Sequence, residues 1–175
     1  GPQKRVGPIV RLVINKKMRW VIFCGYPSKL EPDRSVIWNG YYQDVTEQKL
    51  AEEELLNSEA YNKMLFQESH RPLVVYDLEN GFIDCNPAAV KAYGLSSRED
   101  VIGKTPLDVS APSQYDGTDS QTAILEKHQT VLEHGVTSFE WRHQRANGEI
   151  WDAMVYLMLF NDRGKQLLQF TLDDI

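Results

Sequence analysis

Cysteine is nearly absent from this chain: it has two, Cys24 and Cys85, far apart in sequence. That pair fits neither a zinc-ligand spacing nor a disulfide framework, and a reducing, cytoplasmic compartment is the simplest setting for it. Long apolar runs are absent too. Nothing approaches the roughly 18 residues of a membrane span, so no direct membrane contact is expected. Clustered positive charge is the third absence. Asp and Glu (25) outnumber Lys and Arg (19), the formal net charge is −6, and the basic residues are scattered. Phosphate binding needs them gathered, which argues against nucleic acid as a partner. No pair of acids, no Ser-His-Asp arrangement and no Gly-rich phosphate loop stands at a usable spacing. No catalytic residue and no metal-ligand set is assigned, and no enzyme active site is expected.

What is present is the composition of a folded globular chain, with 42% hydrophobic and 25% charged residues, enough to support a core. One sequence pattern ends twice. The first ending runs Asn15 to Trp20, then Pro32-Asp33-Arg34, then Tyr41 to Glu47. The second runs Asn147 to Trp151, then Asn161 to Gly164, then Phe170 to Ile175. Trp20 and Trp151, Asp33 and Asp162, and Asp44 and Asp174 keep nearly the same separation, about 130 residues. A shared offset across three landmarks points to tandem copies of one domain. The second ending alone has a beginning, so the chain is expected to start inside copy one and to be a piece of a longer multi-domain protein.

Three strands are expected in the first segment, over Pro8–Ile14, Arg19–Gly25 and Val36–Val45, from their β-branched and aromatic residues and the polar turns between them. Thr46 to Ser69 reads as one helix, with strong helix formers, no Gly or Pro, and Asp44 or Thr46 as its cap. Its apolar residues thicken after Ala60 (Tyr61, Met64, Leu65, Phe66), so that half is expected to pack on something. From His70 onward a complete unit follows. Strands at 72–77 and 82–85 flank the tight turn Glu79-Asn80-Gly81. Asn86-Pro87 caps a short helix that Gly94 ends. Further helical turns are expected after Ser96 and over Thr105–Val109. The longest helix of this unit is expected over Asp119–Glu133, then strands over Thr137–Arg145, Ile150–Phe160 and Gln166–Leu172.

This order, and the residues that mark it, resemble the PAS sensory domain family over residues 70–175. The markers are Asp77-x3-Gly81-Phe82-Ile83-x2-Asn86-Pro87-Ala88, Tyr93-Gly94, Asp100-Val101-Ile102-Gly103-Lys104, Asn147-Gly148-Glu149 and Thr171-x2-Asp174-Ile175. Arg19-Trp20-Val21 and Gln43 to Lys49 resemble the C-terminal motif and exit helix of a preceding copy. The resemblance implies an α+β PAS fold: an antiparallel five-stranded sheet with short helices on one face. It implies three parts, a three-stranded remnant over 3–45, a linker helix over 46–69 and a complete domain over 70–175. It also implies a sensory and coupling role in a bacterial signalling protein, most often a histidine kinase of a two-component phosphorelay, with a diguanylate cyclase next. A ligand-free dimerisation module is the rival reading.

The resemblance further implies that the Asp119–Glu133 helix lines an internal cavity. His128, on one face with Ile124, is then the first candidate for a ligand contact, and a histidine at the edge of the core is the plainer reading. If a small molecule binds, Tyr93, Ile102, Ile124, His128, Phe139 and Trp141 are its expected walls. Haem-binding relatives place the iron ligand near Ile124, and isoleucine cannot ligate iron, so haem of that type is disfavoured. Flavin-binding relatives carry a reactive Cys in an Asn-Cys-Arg-Phe-like motif, where this chain reads Lys104-Thr105-Pro106-Leu107-Asp108. A cysteinyl flavin is disfavoured for that reason, and Cys85 is read as a buried thiol. The cofactor is left unknown. Glu140, Arg142, His143 and Arg145 are read as the solvent face of their strand. Asp44, Thr46 and Asp174 are the expected signal junctions, or plain caps. The apolar face of the first segment, drawn from Val10, Leu12, Trp20, Ile22, Ile37 and Tyr41, is expected to pair with another chain, as a homodimer, or to be partly disordered.

Overall fold

The structure is a computed structural model that describes residues 5–175, so residues 3 and 4 of the expected first segment lie outside the described residues. It divides into two compact units, the first ending at Asn62 and the second spanning Lys63–Ile175.

The first unit holds a three-stranded antiparallel sheet of β1 (Arg5–Ile14), β2 (Lys17–Leu30) and β3 (Val36–Asp44), with β2 central. Asn15 and Lys16 both sit at positive φ (51° and 61°) between the paired residues Ile14 and Lys17. That is the two-residue hairpin whose twist matches its strands. Phe23 lies across Gly25 and Gly40, which face each other on neighbouring strands. A Cβ on Gly25 would meet the Phe23 ring at 2.5 Å and one on Gly40 would meet it at 2.8 Å, so glycine is what leaves room for the ring. Phe23 then reaches Tyr42, with ring centroids 5.3 Å apart.

The register divides the expected apolar face between two faces. Val10 pairs with Val21 and Leu12 with Arg19, which places them with Phe23 and Tyr42. Trp20, Ile22, Ile37 and Tyr41 alternate onto the other face. Both faces expose large apolar side chains, Val13 at 71% and Tyr42 at 69% among them.

Helix α1 (Thr46–Glu68) follows. Its apolar end does not pack as expected: Tyr61, Met64 and Leu65 are exposed, and Phe66 and Gln67 are half-buried.

The second unit contains β4 (Leu73–Asp77), β5 (Gly81–Cys85), α2 (Pro87–Ala92), a 3-10 turn (Leu107–Val109), α3 (Ser120–His134), β6 (Val136–Gln144), β7 (Ile150–Asp162) and β8 (Lys165–Asp174). The five strands form one antiparallel sheet in the order β5-β4-β8-β7-β6. Strand alternation builds its core. Trp151, Ala153, Val155 and Leu157 of β7 and Leu168, Phe170 and Leu172 of β8 point inward, against Tyr76, Phe82, Ala89, Tyr93, Ala123 and Val131. Residues 96–103 form the expected turn, and it does not extend into a longer helix. The Asp100 carboxylate accepts from the backbone N–H and the hydroxyl of Ser97 (3.0 and 3.1 Å), Asp100 N donates back to Ser97 Oγ (3.3 Å), and Ile102 N donates to Arg98 O (3.1 Å), so the segment is one capped turn that goes no further.

Asp77 ties two hairpins together. Its carboxylate accepts from the backbone N–H of Glu79 and Asn80 within the β4–β5 turn and from Lys165 Nζ at 2.7 Å at the start of β8. Those donors hold its carboxyl well below the usual carboxylate range. Gly81 closes that turn at φ +74°, where a Cβ would meet the Lys104 carbonyl at 2.5 Å.

Asn86 does the same for α2. Its Oδ1 accepts from Leu73 N and Ala89 N, both at 3.0 Å, and its Nδ2 donates to Arg71 O at 2.8 Å. The side chain is fully buried, so one residue caps the helix and anchors the start of β4. Replacing it with alanine orphans several buried groups at once. Asn86→Ala is expected to lower the unfolding free energy by about 3 kcal/mol in urea titration at an unchanged m-value.

Candidate functional site

Between the sheet and the helical layer of the second unit lies a cavity of about 40 Å³. Its sheet wall is Tyr76 of β4, Phe139, Trp141 and His143 of β6, Val155 and Leu157 of β7, and Phe170 of β8. Ile124, Lys127 and His128 of α3 form the helical wall, and Pro106, Val109, Ser110 and Tyr93 complete it.

The helical wall is fixed by its ends. Asp119 caps α3 by accepting from Thr122 N at 3.2 Å, and Gly135 closes it at φ +79°. The loop before α3 is stitched to the outer edge of β6. Ala111 N donates to Arg142 O (3.0 Å), Arg142 N donates to Gln114 Oε1 (2.9 Å), and Gln114 Nε2 donates to Ser120 Oγ (2.7 Å). Trp141 Nε1 donates to Ser110 Oγ at 2.8 Å, and that hydroxyl donates to Pro106 O at 2.7 Å.

Of the six expected wall residues, the structure gathers five: Tyr93, Ile124, His128, Phe139 and Trp141. Ile102 is not among the lining residues. Its segment forms turns, and the neighbouring Val101 takes the fully buried position. His128 is half-buried, and its Nε2 lies 2.8 Å from the Tyr76 hydroxyl. Burial lowers its imidazole below the ordinary value. Tyr76, Pro106, Ile124 and His128 line both the cavity and an open groove outside it, so this pair stands where the two spaces adjoin.

His143 corrects the expected solvent face of β6. Residues 139, 141 and 143 share one side of a strand, and His143 turns inward with Trp141 at 4% exposure. Its Nδ1 lies 3.2 Å from Val109 O, and its ring stacks on Trp151 with centroids 4.8 Å apart. Burial pushes its pKa down to about 4. Tyr93, at 1% exposure, faces it with centroids 5.9 Å apart, and burial raises the Tyr93 phenol far above its usual range. Tyr93 OH and His143 Nε2 are buried with no hydrogen-bond partner among the described residues. Tyr76 is another wall residue that sequence reasoning passed over, as are Pro106, Val109, Ser110, Lys127, Val155, Leu157 and Phe170; strand parity points to Tyr76 and His143 in particular. The signal was available in those two cases, because Tyr76 alternates with Val74, and His143 with Trp141 and Phe139.

Cys85 is buried, and burial pushes its thiol up to about 11. Among the described residues no three His, Cys, Asp or Glu converge on a possible metal position, and no described helix is long and apolar enough to cross a membrane.

The expected junction has a definite geometry in the first unit. Thr46 N donates to Asp44 Oδ1 at 2.9 Å, Trp20 N donates to Thr46 Oγ1 at 2.8 Å, and Val45 N donates to Trp20 O at 2.8 Å. The first turn of α1 is thereby pinned to β2. Arg19 lies 3.4 Å from Asp44 at the surface. Asp174 ends β8, paired with Ala153 and exposed.

A five-stranded antiparallel sheet with short helices over one face and a cavity between them defines a small α+β domain. The chain belongs to the PAS domain family, whose sequence profile matches residues 71–175. Solved structures agree. The PAS domain of an HTR-like protein from Haloarcula marismortui is 21% identical with a TM-score of 0.56, covering 73% of this chain and 99% of that one. A PAS domain from Colwellia psychrerythraea is 22% identical with a TM-score of 0.56, covering 69% of this chain and 97% of that one. A PAS domain of a two-component sensor histidine kinase is 15% identical with a TM-score of 0.55, covering 70% and 99%. At these identities the likeness is one of fold. No curated protein matches the chain.

The buried imidazole makes stability depend on pH. Folded His143 titrates near 4, while in the unfolded chain it titrates near the ordinary 6.5, so between those values the unfolded state binds more protons. This contribution is undiminished above about pH 6.5 and falls away on acidification, by on the order of 3 kcal/mol at pH 4. In urea titrations the stability difference between the native chain and His143→Phe should move by that amount in favour of the variant as the pH falls. A difference that stays constant across this range would mean that His143 is not buried in its neutral form.

Proposed function

We propose that this chain is a ligand-responsive relay module of a bacterial signalling protein, most readily a sensor histidine kinase. It acts in the cytoplasm as a homodimer and has no catalysis of its own. The observation that carries this reading is the cavity, walled by β6, β7, β8 and α3. Its volume is about 40 Å³ in an otherwise close-packed core, so an occupant larger than a few waters must move a strand or the helix. Such a shift is the two-state displacement that switching domains use. The relay proposed runs along the chain in either direction. On one side it passes through the Asp44–Thr46 junction and α1, and on the other it leaves β8 at Asp174.

A second reading, a ligand-free dimerisation module holding an output domain in register, is favoured by the exposed apolar faces of the β1–β3 sheet. Native mass spectrometry of the purified chain separates the two. A mass excess that disappears on denaturation is expected from the relay reading. A bare mass in a stable dimer favours the second.

The junction makes its own prediction. Thr46→Val keeps the side-chain shape and removes the acceptor for Trp20 N–H. About 1 kcal/mol of local stability should be lost. Hydrogen exchange of Trp20 and of the first turn of α1 should quicken roughly fivefold, since 1.4 kcal/mol is tenfold. Unchanged exchange would mean that α1 is not anchored by this bond.

A further inference from the structure

Of the polar side chains that line the cavity, some are engaged, and two carry a buried atom that is not. Tyr76 OH and His128 Nε2 are 2.8 Å apart, Trp141 Nε1 and Ser110 Oγ are 2.8 Å apart, and Lys127 Nζ sits over the Phe139 ring, 5.1 Å from its centroid. Tyr93 OH and His143 Nε2 remain, both deeply buried and both without a partner among the described residues.

Their chemistry is specific. The Val109 carbonyl beside Nδ1 can only accept, so Nδ1 carries the proton. His143 is 4% exposed and stacked on Trp151, surroundings that keep the ring neutral. Nε2 is therefore a bare acceptor in need of a donor. The Tyr93 hydroxyl, also neutral, can donate. The rest of the lining, including Val155, Leu157 and Phe170, is apolar.

We propose that the cavity takes a small uncharged ligand, of about four non-hydrogen atoms, whose polar end both gives and takes a hydrogen bond. A short alcohol is the simplest member of this class. The proposal rests on the reading of the cavity as a ligand site and specifies its occupant. A cavity of 40 Å³ holds roughly three water-sized units, which sets the size. A carboxylate has no proton for His143 Nε2 and would set its charge against that lone pair. A ketone can accept from Tyr93 and leaves His143 unmatched. The hydroxyl group answers both atoms, and its alkyl remainder meets apolar walls.

Three probes of four non-hydrogen atoms each, 2-propanol, acetone and acetate, isolate this feature. Each is titrated into the whole chain with the imidazole ¹⁵N resonances of His143 as the readout. 2-Propanol is expected to shift Nε2 saturably. For four atoms the tightest dissociation constant attainable is roughly 40 μM, and weaker binding in the millimolar range also fits. Acetone and acetate should bind at least tenfold more weakly. Tyr93→Phe removes only the unpartnered hydroxyl, so the variant should fold and should weaken 2-propanol binding fivefold or more. Acetone or acetate binding as well as 2-propanol would overturn the ligand class and leave the cavity as a ligand site. So would Tyr93→Phe binding the alcohol undiminished. If none of the probes moves a cavity resonance, both this proposal and the ligand-sensing reading fall.

Discussion

An edge strand presents a row of backbone groups that must be paired or covered, and β6 is the edge on which the cavity is built. The cover is the loop from Val109 to Gln114. Ala111 and Gln114 pair with the backbone of Arg142, and Ser110 bridges to His143. Because this loop must lie along β6, the 3-10 turn before it and the start of α3 after it are drawn over the inward face of the sheet. The Trp141–Ser110–Pro106 chain of hydrogen bonds and the His143–Val109 contact fix the roof at the depth of one side chain. Satisfying the edge thus leaves a small space under the roof, and it also sets which nitrogen of His143 is free. The opposite edge, β5, is treated alike: Phe82 exchanges backbone bonds with Gly103 and Lys104.

Much of this frame is legible from residues with one physical option. Asn86-Pro87, Gly135 and Gly81 each mark a helix start, a helix end or a tight turn through capping chemistry or positive φ, and each falls where expected. What was harder to read depends on register. Along residues 98–103 the turn geometry turns Val101 inward and leaves Ile102 half-buried, a choice that apolarity alone cannot make. His143 sits among charged neighbours and reads as surface by composition, whereas strand parity with Trp141 puts it inside. The β1–β3 sheet repeats the lesson, since one set of apolar residues divides between two faces once the pairing of Val10 with Val21 is known.

Helix α1 follows a different logic. It spans Thr46–Glu68, yet Thr46 is its one buried residue, and Leu50, Leu55, Leu56, Met64 and Leu65 are all exposed. Most helices in proteins are held by a packed face rather than by propensity alone. Here the described anchoring lies at the N-terminal end, in the bonds among Trp20, Asp44 and Thr46. A change in those bonds would act directly on the first turn of α1, as the relay proposed above requires. The same exposed leucines would find their packing in a second helix, consistent with the dimer proposed above.

The two unpartnered atoms of Tyr93 and His143 give an energetic scale to that proposal. A buried polar group without a hydrogen bond costs about 1–3 kcal/mol, a sizeable share of the 5–15 kcal/mol by which a domain is stable. A core selected for stability alone would carry phenylalanine at Tyr93 and an apolar residue at His143, both of which the surrounding aromatic rings could accommodate. Keeping both polar groups costs stability unless water or a ligand pairs with them. A partner that satisfies them recovers about that energy, and 1–3 kcal/mol is also the usual size of coupling between linked sites. That energy is of the magnitude a ligand would need to bias the packing of β6 and α3, as the proposed relay requires.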